Sequence, residues 1–299
     1  MQDKIIVGTR GSALALKQTN MVIDILKKNL ENVQFQIRII TTTGDKILDK
    51  SLDKIGGKGL FVLEIEKALI DKKIDLAVHS MKDIPAFVDS AFEISPLLKR
   101  EDPRDVLIST DKVKFADLPK GAVIGTSSLR RILQLKKLRP DLNYVPVRGN
   151  IDSRIKKLAT GEFQGIILAA AGLKRMGWGS KVAEYFHIHE VIPAVGQGAL
   201  CLEYRVNDSF IKKLIEAKNE NNEIRDIMAE RSFLEAINGS CSVAMGAFGE
   251  VIGEDLVLKG FYNENPETEL IVKEVTGKAK DYKLLGQRLA SELKKEGVL

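Results

Sequence analysis

Residues 4–16 carry the sequence KIIVGTRGSALAL, and this stretch sets the pattern of the fold. The apolar run at 4–8 predicts a short buried strand, and Ser12 is placed to cap a helix at its N-terminus. The helix that follows has one apolar face, formed by Leu14, Met21, Val22 and Ile25. The chain therefore begins with a strand and a helix, and Arg10 lies at their junction.

The same alternation of strand and helix continues along the chain. Further strands are predicted at 35–39, 75–78, 102–108, 122–125, 143–147 and 165–169. Helices are predicted at 60–71, at 127–138 and from residue 150. This order is typical of α/β domains with parallel sheets. We expect two successive α/β units, with hinges near residues 98–105 and 192–197.

The last third of the chain has a different pattern. A predicted helix at 223–238 is followed by strand-like runs at 243–252, 255–261 and 269–276 and by a final helix. Strands grouped together in this way are typical of α+β structure. The sequence therefore predicts a smaller C-terminal α+β domain with a three-stranded antiparallel sheet.

Composition narrows the class of protein. The 299 residues are 44% hydrophobic and 29% charged, as expected for a globular protein. The net charge of +5 is modest and aromatic residues make up only 6%, which argues against a nucleic-acid partner. No apolar run approaches the ~20 residues of a membrane span, and no signal peptide is apparent. We therefore expect a cytoplasmic protein without a membrane partner.

Arginine residues cluster at the predicted ends of strands. In open α/β sheets, ligands bind beyond the carboxyl ends of the strands. The residues at these positions are Arg10, Arg130, Arg131, Arg148, Arg154 and Arg175, with the hydroxyls of Ser12, Thr126, Ser127 and Ser128 near helix N-termini. Guanidinium groups and free helix N–H groups both bind carboxylates and phosphates. The pattern predicts a cleft for a polyanion. The alternative is that each arginine forms an exposed ion pair on a helix surface.

An acidic residue follows one of these strands. The stretch at 76–85, LAVHSMKDIP, places Asp83 beside Lys82 in the loop after a strand. A carboxylate there could stabilise a developing cation or move a proton. The alternative is a turn-forming aspartate before Ile84 and Pro85. His79 has no paired nucleophile and is predicted to be a partly buried structural histidine.

The two cysteines lie in different settings. Cys201 belongs to an apolar strand-like run and is predicted to be a buried small hydrophobic residue. Cys241 lies in a turn after a helix, where it is either an ordinary turn residue or a reactive attachment point. With two cysteines and three histidines, neither a disulfide framework nor a metal site is expected.

These motifs together resemble the hydroxymethylbilane synthase (porphobilinogen deaminase) family. They occur in family order over nearly the whole chain, as VGTRGS at 7–12, ALKQ at 15–18, GKGLF at 57–61, AVHSMKDIP at 77–85, GTSSLRR at 125–131, VRGN at 147–150, LAAAGLKR at 168–175, PAVGQG at 193–198 and GSC at 239–241. Each motif alone is weak, but the ordered set is specific to this family.

The resemblance implies roles for individual residues. Cys241 matches the cysteine that holds a dipyrromethane cofactor through a thioether, and Asp83 matches the catalytic aspartate. The positions that match cofactor-binding residues are Lys82, Thr126, Ser127, Ser128, Arg130 and Arg131. Those that match residues for the substrate, porphobilinogen, are Arg10, Ser12, Gln18, Arg148, Arg154 and Arg175. The loop at 41–59, with Lys58, resembles the family's mobile lid.

The resemblance also implies a fold and an activity. The expected enzyme is a monomeric transferase that joins four porphobilinogen molecules into hydroxymethylbilane and releases ammonia. Its first two domains resemble type II periplasmic-binding-protein domains, and its third carries the cofactor cysteine. The expected boundaries are 1–98 with about 193–215, then 99–192, then 216–299. The segment from about 193 to 207 would return to the first domain and add a strand at 200–204.

Two residues depart from the family pattern. Leu63 stands where a lysine is common, and Ala244 stands where a proline often follows the cysteine motif. Neither position has an assigned chemical role. Two other classes remain open: a non-catalytic anion-binding module on the same domains, and a nucleic-acid-binding protein. A P-loop is excluded because residues 56–59 lack its spacing.

Overall fold

The protein is described from a computed structural model. The described residues are 4–28, 33–46, 62–97, 99–216, 224–238, 243–265 and 268–297. They pack into two compact units. Unit 1 consists of Met1–Arg100 with Ala199–Ile224, and unit 2 consists of Glu101–Gly198 with Arg225–Leu299. Because each unit contains two separate segments, the chain passes from unit 1 to unit 2, back to unit 1, and again to unit 2.

Unit 1 is an α/β structure around one five-stranded sheet. Its elements are β1 (Lys4–Thr9), α1 (Ala13–Lys27), β2 (Gln34–Ile39), α2 (Thr43–Lys46), α3 (Leu63–Ile70), β3 (Leu76–Ser80), β4 (Phe92–Leu97), β10 (Leu200–Arg205) and α7 (Ser209–Glu216). The strand order is β2-β1-β3-β10-β4. The core contains apolar residues from β1, α1, β3, β10 and α7.

Unit 2 contains a second sheet with the same arrangement. Its elements are β5 (Asp105–Ser109), β6 (Val123–Gly125), α4 (Leu129–Leu138), β7 (Asn143–Val145), α5 (Ile151–Ala159), β8 (Gly165–Ala169), α6 (Ala170–Met176) and β9 (Glu184–Tyr185). The strand order is β7-β6-β8-β5-β9. Two apolar clusters cover the two faces of this sheet.

One strand in each unit departs from the parallel arrangement that the alternation of strands and helices favours. In unit 1, β10 runs antiparallel to β3 and β4, and in unit 2, β5 runs antiparallel to β8 and β9. A crossover helix forces neighbouring strands to be parallel, but neither strand reaches its neighbours through such a crossover. Both sheets therefore place an antiparallel strand fourth in the order, and the predicted pair of successive α/β units is confirmed.

The C-terminal part of unit 2 is the predicted α+β structure. Its elements are α8 (Arg225–Ala236), β11 (Ala244–Ile252), β12 (Asp255–Asn263), β13 (Val272–Lys278) and α9 (Tyr282–Lys295). The three strands form an antiparallel sheet in chain order. The two helices approach closely at Gly286, where a Cβ atom would lie 2.6 Å from the Ala229 carbonyl oxygen and 2.6 Å from the Phe233 nitrogen.

No helix in the described part of the chain is both long and apolar enough to cross a membrane. The division of the chain into three domains stays a prediction. The start of the predicted hinge at residue 98 lies outside the described residues, as does most of the predicted lid loop, including Lys58.

Candidate active site

In unit 1, Arg10 directly follows β1 and lies against α2. Its guanidinium group donates through Nε to Asp45, at 3.1 Å from Oδ1, and Nη2 completes a two-pronged contact with the same carboxylate. Asp45 also accepts hydrogen bonds from the backbone and hydroxyl of Thr42. Burial raises the pKa of Asp45, but the bonds from Arg10 and Thr42 outweigh burial and lower the pKa below its ordinary value. Arg10 is therefore oriented by a fixed carboxylate.

Ser12 and Gln18 lie on the helix that follows. Ser12 Oγ accepts a hydrogen bond of 3.2 Å from the Ala15 nitrogen, so the predicted N-cap of α1 is confirmed. Gln18 is buried, and its Nε2 donates to Ser80 Oγ at 3.3 Å. Ser80 is the last residue of β3, so this bond links α1 to the start of the Asp83 turn.

The Asp83 turn is the 3₁₀ turn Met81–Asp83, which directly follows β3. The buried Met81 anchors it, because its nitrogen donates to the Ala199 carbonyl at 3.0 Å and its carbonyl accepts from Ile84. The side chains of Lys82 and Asp83 are exposed. A rigid strand end thus presents a cation and a carboxylate side by side.

The predictions for His79 and Cys201 are confirmed. His79 is buried in β3, and its Nε2 lies 2.9 Å from Glu203 Oε2. Cys201 in β10 is fully buried, with Sγ 3.8 Å from the His79 carbonyl oxygen. Neither side chain is placed to act as an exposed nucleophile.

In unit 2, Arg130 and Arg131 lie in the first turn of α4 and are both buried. Both pair with the fully buried Asp105, at 2.7 Å from Arg130 and 2.6 Å from Arg131. Burial raises the pKa of Asp105, but the two guanidinium charges outweigh it and hold the pKa far below its ordinary range. The alternative of exposed surface pairs is therefore wrong for these two arginines.

Asp105 and Gln197 are site residues that the sequence did not reveal. Gln197 Nε2 donates to Asp105 Oδ1 at 3.0 Å and to the Pro103 carbonyl at 2.6 Å. Asp105 is the first residue of β5. Ligands are expected at the carboxyl ends of strands in α/β proteins, so a residue at the start of a strand is not an obvious candidate. The one available signal was the PAVGQG motif, which contains Gln197.

The hydroxyl-rich turn before α4 is joined to the segment that carries Arg148. Ser127 Oγ donates to the Val147 carbonyl at 2.9 Å, and the Val147 nitrogen donates back to Ser127 Oγ at 3.1 Å. Thr126 is buried, and its Oγ1 accepts from the Ser128 nitrogen. The two predicted binding segments therefore meet at the ends of β6 and β7.

Arg154 lies at this meeting point among other cations. Its Nε donates to the Gly149 carbonyl at 2.8 Å, and Gly149 adopts φ +108°, where a Cβ atom would meet Ser153 Oγ at 2.1 Å. Burial lowers the pKa of Arg154 to about 10, and the positive charges of Arg131 and Arg148 add to that effect. Such a gathering of cations is stabilised by a bound anion.

Arg175, at the end of α6, carries an unsatisfied donor. Its Nη2 donates to the Gly198 carbonyl at 2.6 Å, but its buried Nε has no hydrogen-bond partner among the described residues. Burial lowers the pKa of Arg175, with Glu101 acting in the opposite direction. A buried guanidinium donor without an acceptor suits a ligand carboxylate.

Two predicted site residues, Cys241 and Lys58, lie outside the described residues. Around Cys241, α8 ends at Ala236 and β11 begins at Ala244, which is buried. Leu63 is the first residue of α3 and is 57% exposed. Among the described residues, no group of three or more His, Cys, Asp or Glu side chains is arranged to hold a metal ion.

These features define a class of protein: an α/β protein with a C-terminal α+β part and with arginines gathered for a multiply charged anion. Family comparison gives the particular assignment. The sequence model of "Porphobilinogen deaminase, dipyromethane cofactor binding domain" matches residues 5–213, and that of "Porphobilinogen deaminase, C-terminal domain" matches residues 224–295. The chain belongs to the porphobilinogen deaminase family and is a transferase of tetrapyrrole biosynthesis.

Individual relatives agree with this assignment. The chain is 49% identical over 294 residues to a porphobilinogen deaminase of Clostridioides difficile, covering 98% of this chain and 97% of that protein. It is 46% identical over 291 residues to one of Alkaliphilus metalliredigens, covering 97% and 92%. A Bacillus subtilis protein, ytmK, described as a probable amino-acid ABC transporter extracellular-binding protein, aligns with a TM-score of 0.43 at 16% identity, covering 78% and 96%.

Proposed function

We propose that this chain joins four porphobilinogen molecules head to tail on a dipyrromethane primer attached to Cys241, and that Asp83 is its catalytic carboxylate. The observation that carries the proposal is the cation cluster of unit 2, in which Arg154 donates to the Gly149 carbonyl beside Arg148 and is affected by the charges of Arg131 and Arg148. Porphobilinogen bears an acetate and a propionate arm, so each unit added to the chain brings two carboxylates. A site for such a product requires several cations.

The residues of unit 2 fit the dipyrromethane group. Arg175 Nε is a buried donor that lacks an acceptor within the described residues. Burial lowers the pKa of Arg154, and the charges of Arg131 and Arg148 add to that effect. Both features favour bound carboxylates, because a guanidinium group can bind a carboxylate through two parallel hydrogen bonds. The hydroxyls of Thr126 and Ser128 would add donors, and Ser127, whose hydroxyl donates to the Val147 carbonyl, would hold this turn in place.

The cofactor, when bound, supplies a free pyrrole α-carbon at which the chain of pyrroles grows. The other steps depend on side chains of the protein. Arg10 and the unit 2 arginines bind the acid arms and orient the rings. Departure of ammonia from porphobilinogen leaves positive charge on a pyrrole, and the carboxylate of Asp83 stabilises this charge at the ring nitrogen. The anchored Met81 keeps that carboxylate in place between additions.

Replacement of Asp83 tests the catalytic assignment. We expect Asp83→Asn to lower turnover by about 10²–10³-fold, because the amide keeps the shape of the side chain but loses its charge. Asp71→Asn, which changes an exposed carboxylate paired with Lys73, is the matched control and should keep normal turnover. Near-normal turnover of a folded Asp83→Asn enzyme would exclude the assignment.

Intact mass tests the cofactor and its anchor together. The purified protein, after incubation with porphobilinogen, should be heavier than the bare sequence by one dipyrromethane group. Cys241→Ser should abolish this addition, and Cys201→Ser should keep it because Cys201 is fully buried. An adduct that persists in Cys241→Ser would contradict the anchor.

The family resemblance further supports a monomeric, cytoplasmic enzyme. Sedimentation velocity of the holoenzyme tests the first point, and a single species near the 33.1 kDa chain mass is expected. Cell fractionation tests the second. A concentration-dependent dimer, or recovery outside the cytoplasmic fraction, would contradict the corresponding point.

A further inference from the structure

Three titratable side chains without a role in the proposed reaction meet beside the Asp83 turn. His79 Nε2 and Glu203 Oε2 are 2.9 Å apart, and their side chains are only 5% and 0% exposed. Glu66 on α3 faces this pair. Burial raises the pKa of Glu66 to about 7, the negative charges of Glu203 and Asp89 add to the effect, and His79 opposes it.

The hydrogen-bond partners of the Glu203 carboxylate point to a proton shared with Glu66. Glu203 Oε2 is bonded to His79, whereas the buried Glu203 Oε1 has no partner by hydrogen-bond geometry within the described residues. A buried carboxylate oxygen without a donor is unfavourable. Glu203 lies opposite Ala77 in the sheet, and Ala77 packs against α3, so the Glu203 side chain faces the helix that carries Glu66. A protonated carboxyl group has one O–H to donate, so neutral Glu66 is placed to satisfy the second acceptor of Glu203.

The cluster formed by Glu66, His79 and Glu203 acts on both ends of the segment that carries Asp83. His79 lies in β3, four residues before Asp83, and Asp89 lies six residues after it. Glu203 lies in β10, which pairs with β3 along its whole length. When Glu66 is ionised, its negative charge faces both Glu203 and Asp89, and the repulsion acts on the elements that hold the turn.

The other charged side chains around α3 either bond to other groups or are exposed. Arg205 of β10 donates to the carbonyls of Leu69 and Ile74 at the far end of the helix. On α3 itself, Glu64 accepts a hydrogen bond from the Thr43 nitrogen. On its other sides the helix packs on apolar residues of β1, β3 and β4. Lys67 of the same helix is exposed. Among the described residues, the charged or titratable groups that face Glu66 are therefore His79, Asp89 and Glu203.

We propose that Glu66 is a positioning residue: in its neutral form it donates to the His79–Glu203 pair and holds residues 79–89 so that Asp83 meets the substrate. Ionisation of Glu66 removes that bond and lowers turnover. This inference rests on the catalytic role proposed for Asp83. It assigns Glu66 no contact with porphobilinogen.

The variant Glu66→Gln separates the bond from the proton, because glutamine keeps a donor but does not ionise. We expect the kcat of the native enzyme to fall, relative to Glu66→Gln, by about three-fold as the pH rises through about 7. KM should change little, since the acid arms bind to arginines. Asp71→Asn is the control, because Asp71 directly follows α3 and is exposed. Superimposable kcat–pH profiles of the native and Glu66→Gln enzymes would overturn the proposal.

A second measurement does not depend on activity. The ring resonances of the three histidines can be followed by NMR against pH, with the His79 signal identified from its loss in His79→Gln. In the native holoenzyme the His79 signal should shift as Glu66 titrates near pH 7, and in Glu66→Gln this shift should be absent. Identical His79 chemical-shift curves against pH for the native enzyme and Glu66→Gln would show that the cluster shares no proton. If the curves differ while Asp83→Asn retains turnover, the role of Asp83 fails and the proton-sharing cluster stands.

Discussion

Asp105 is the counter-charge for two arginines that the family resemblance assigns to the cofactor. Its carboxylate is fully buried and contacts Arg130, Arg131 and Gln197. One negative charge shared by two guanidinium groups leaves a net positive charge, so the pair can still attract an anion. Asp105 thus holds both cations in place without neutralising them.

Asp105→Asn should destabilise the protein by about 3 kcal/mol, because it leaves two buried guanidinium groups without their counter-ion. Equilibrium urea unfolding measures this difference. Asp141→Asn is the matched control, since Asp141 pairs with Arg139 near the surface, and its midpoint should barely move. An equal effect of the two variants would contradict the assigned role of Asp105.

The pH dependence of this effect has a definite sign. The folded-state pKa of Asp105 lies below its unfolded value, so its contribution is complete above about pH 4 and is lost as the pH falls further. Glu66 has the opposite sign: its raised pKa makes stability fall as the pH rises from about 4.5 to about 7. Both variants should therefore differ most from the native protein on the high-pH side, and with opposite signs. The melting temperature of Asp105→Asn should fall below that of the native protein as the pH rises above about 4, and that of Glu66→Gln should rise relative to the native protein as the pH approaches about 7.

For individual residues, the sequence predicted the positions of the arginines well but not the residues that pair with them. Arg130 and Arg131 stand out because charge at a strand end is a local signal. Asp105 and Asp45 lie 25 and 35 residues from the arginines that they contact, Arg130 and Arg10. Such pairs become visible only when the sheet order brings distant segments together.

At the scale of elements, strong periodic patterns and the returning strand at 200–204 were predicted correctly, whereas some other elements were not. The strand Gly165–Ala169 lies where its apolar run predicted it. The two-residue strand Glu184–Tyr185 and the helix Ser209–Glu216 were missed. A two-residue strand is too short for an alternating pattern to be recognised. The direction of β5 and β10 was also missed, because alternation of elements does not determine the direction of strands that lack a crossover helix.

Helix packing in the C-terminal α+β part provides a test at this scale. Gly286→Ala should lower stability by about 1–3 kcal/mol, although alanine favours helix, because the added Cβ overlaps the backbone of α8. Thermal unfolding measures the loss. Gly179→Ala is the control, since a Cβ there would meet no atom within 4 Å. A Gly286→Ala protein as stable as this control would show that α8 and α9 are not packed as described.

For the whole molecule, the charge balance links folding to the cofactor. The chain carries a net charge of +5, and in unit 2 the positive charges of Arg131 and Arg148 act on the buried guanidinium group of Arg154. Charges of one sign gathered in a fold destabilise it unless a counter-ion is bound. A ligand that binds only the folded state also stabilises it by mass action or, if covalent, by its contacts. The holoenzyme should therefore be more stable than the chain without its cofactor.

The cofactor-free chain should also respond more strongly to salt. Cys241→Ser, purified without cofactor, is expected to melt several degrees below the holoenzyme, since about 1 kcal/mol corresponds to roughly 2–4 °C for a chain of this size. Added sodium chloride should raise its melting temperature more than that of the holoenzyme, because salt screens the repulsion that the cofactor carboxylates otherwise relieve. Cys201→Ser, which keeps Cys241, serves as the control for loss of a thiol. Equal salt responses in Cys241→Ser and the holoenzyme would mean that the arginine cluster is balanced by the protein alone, and that its charge is not what the cofactor satisfies.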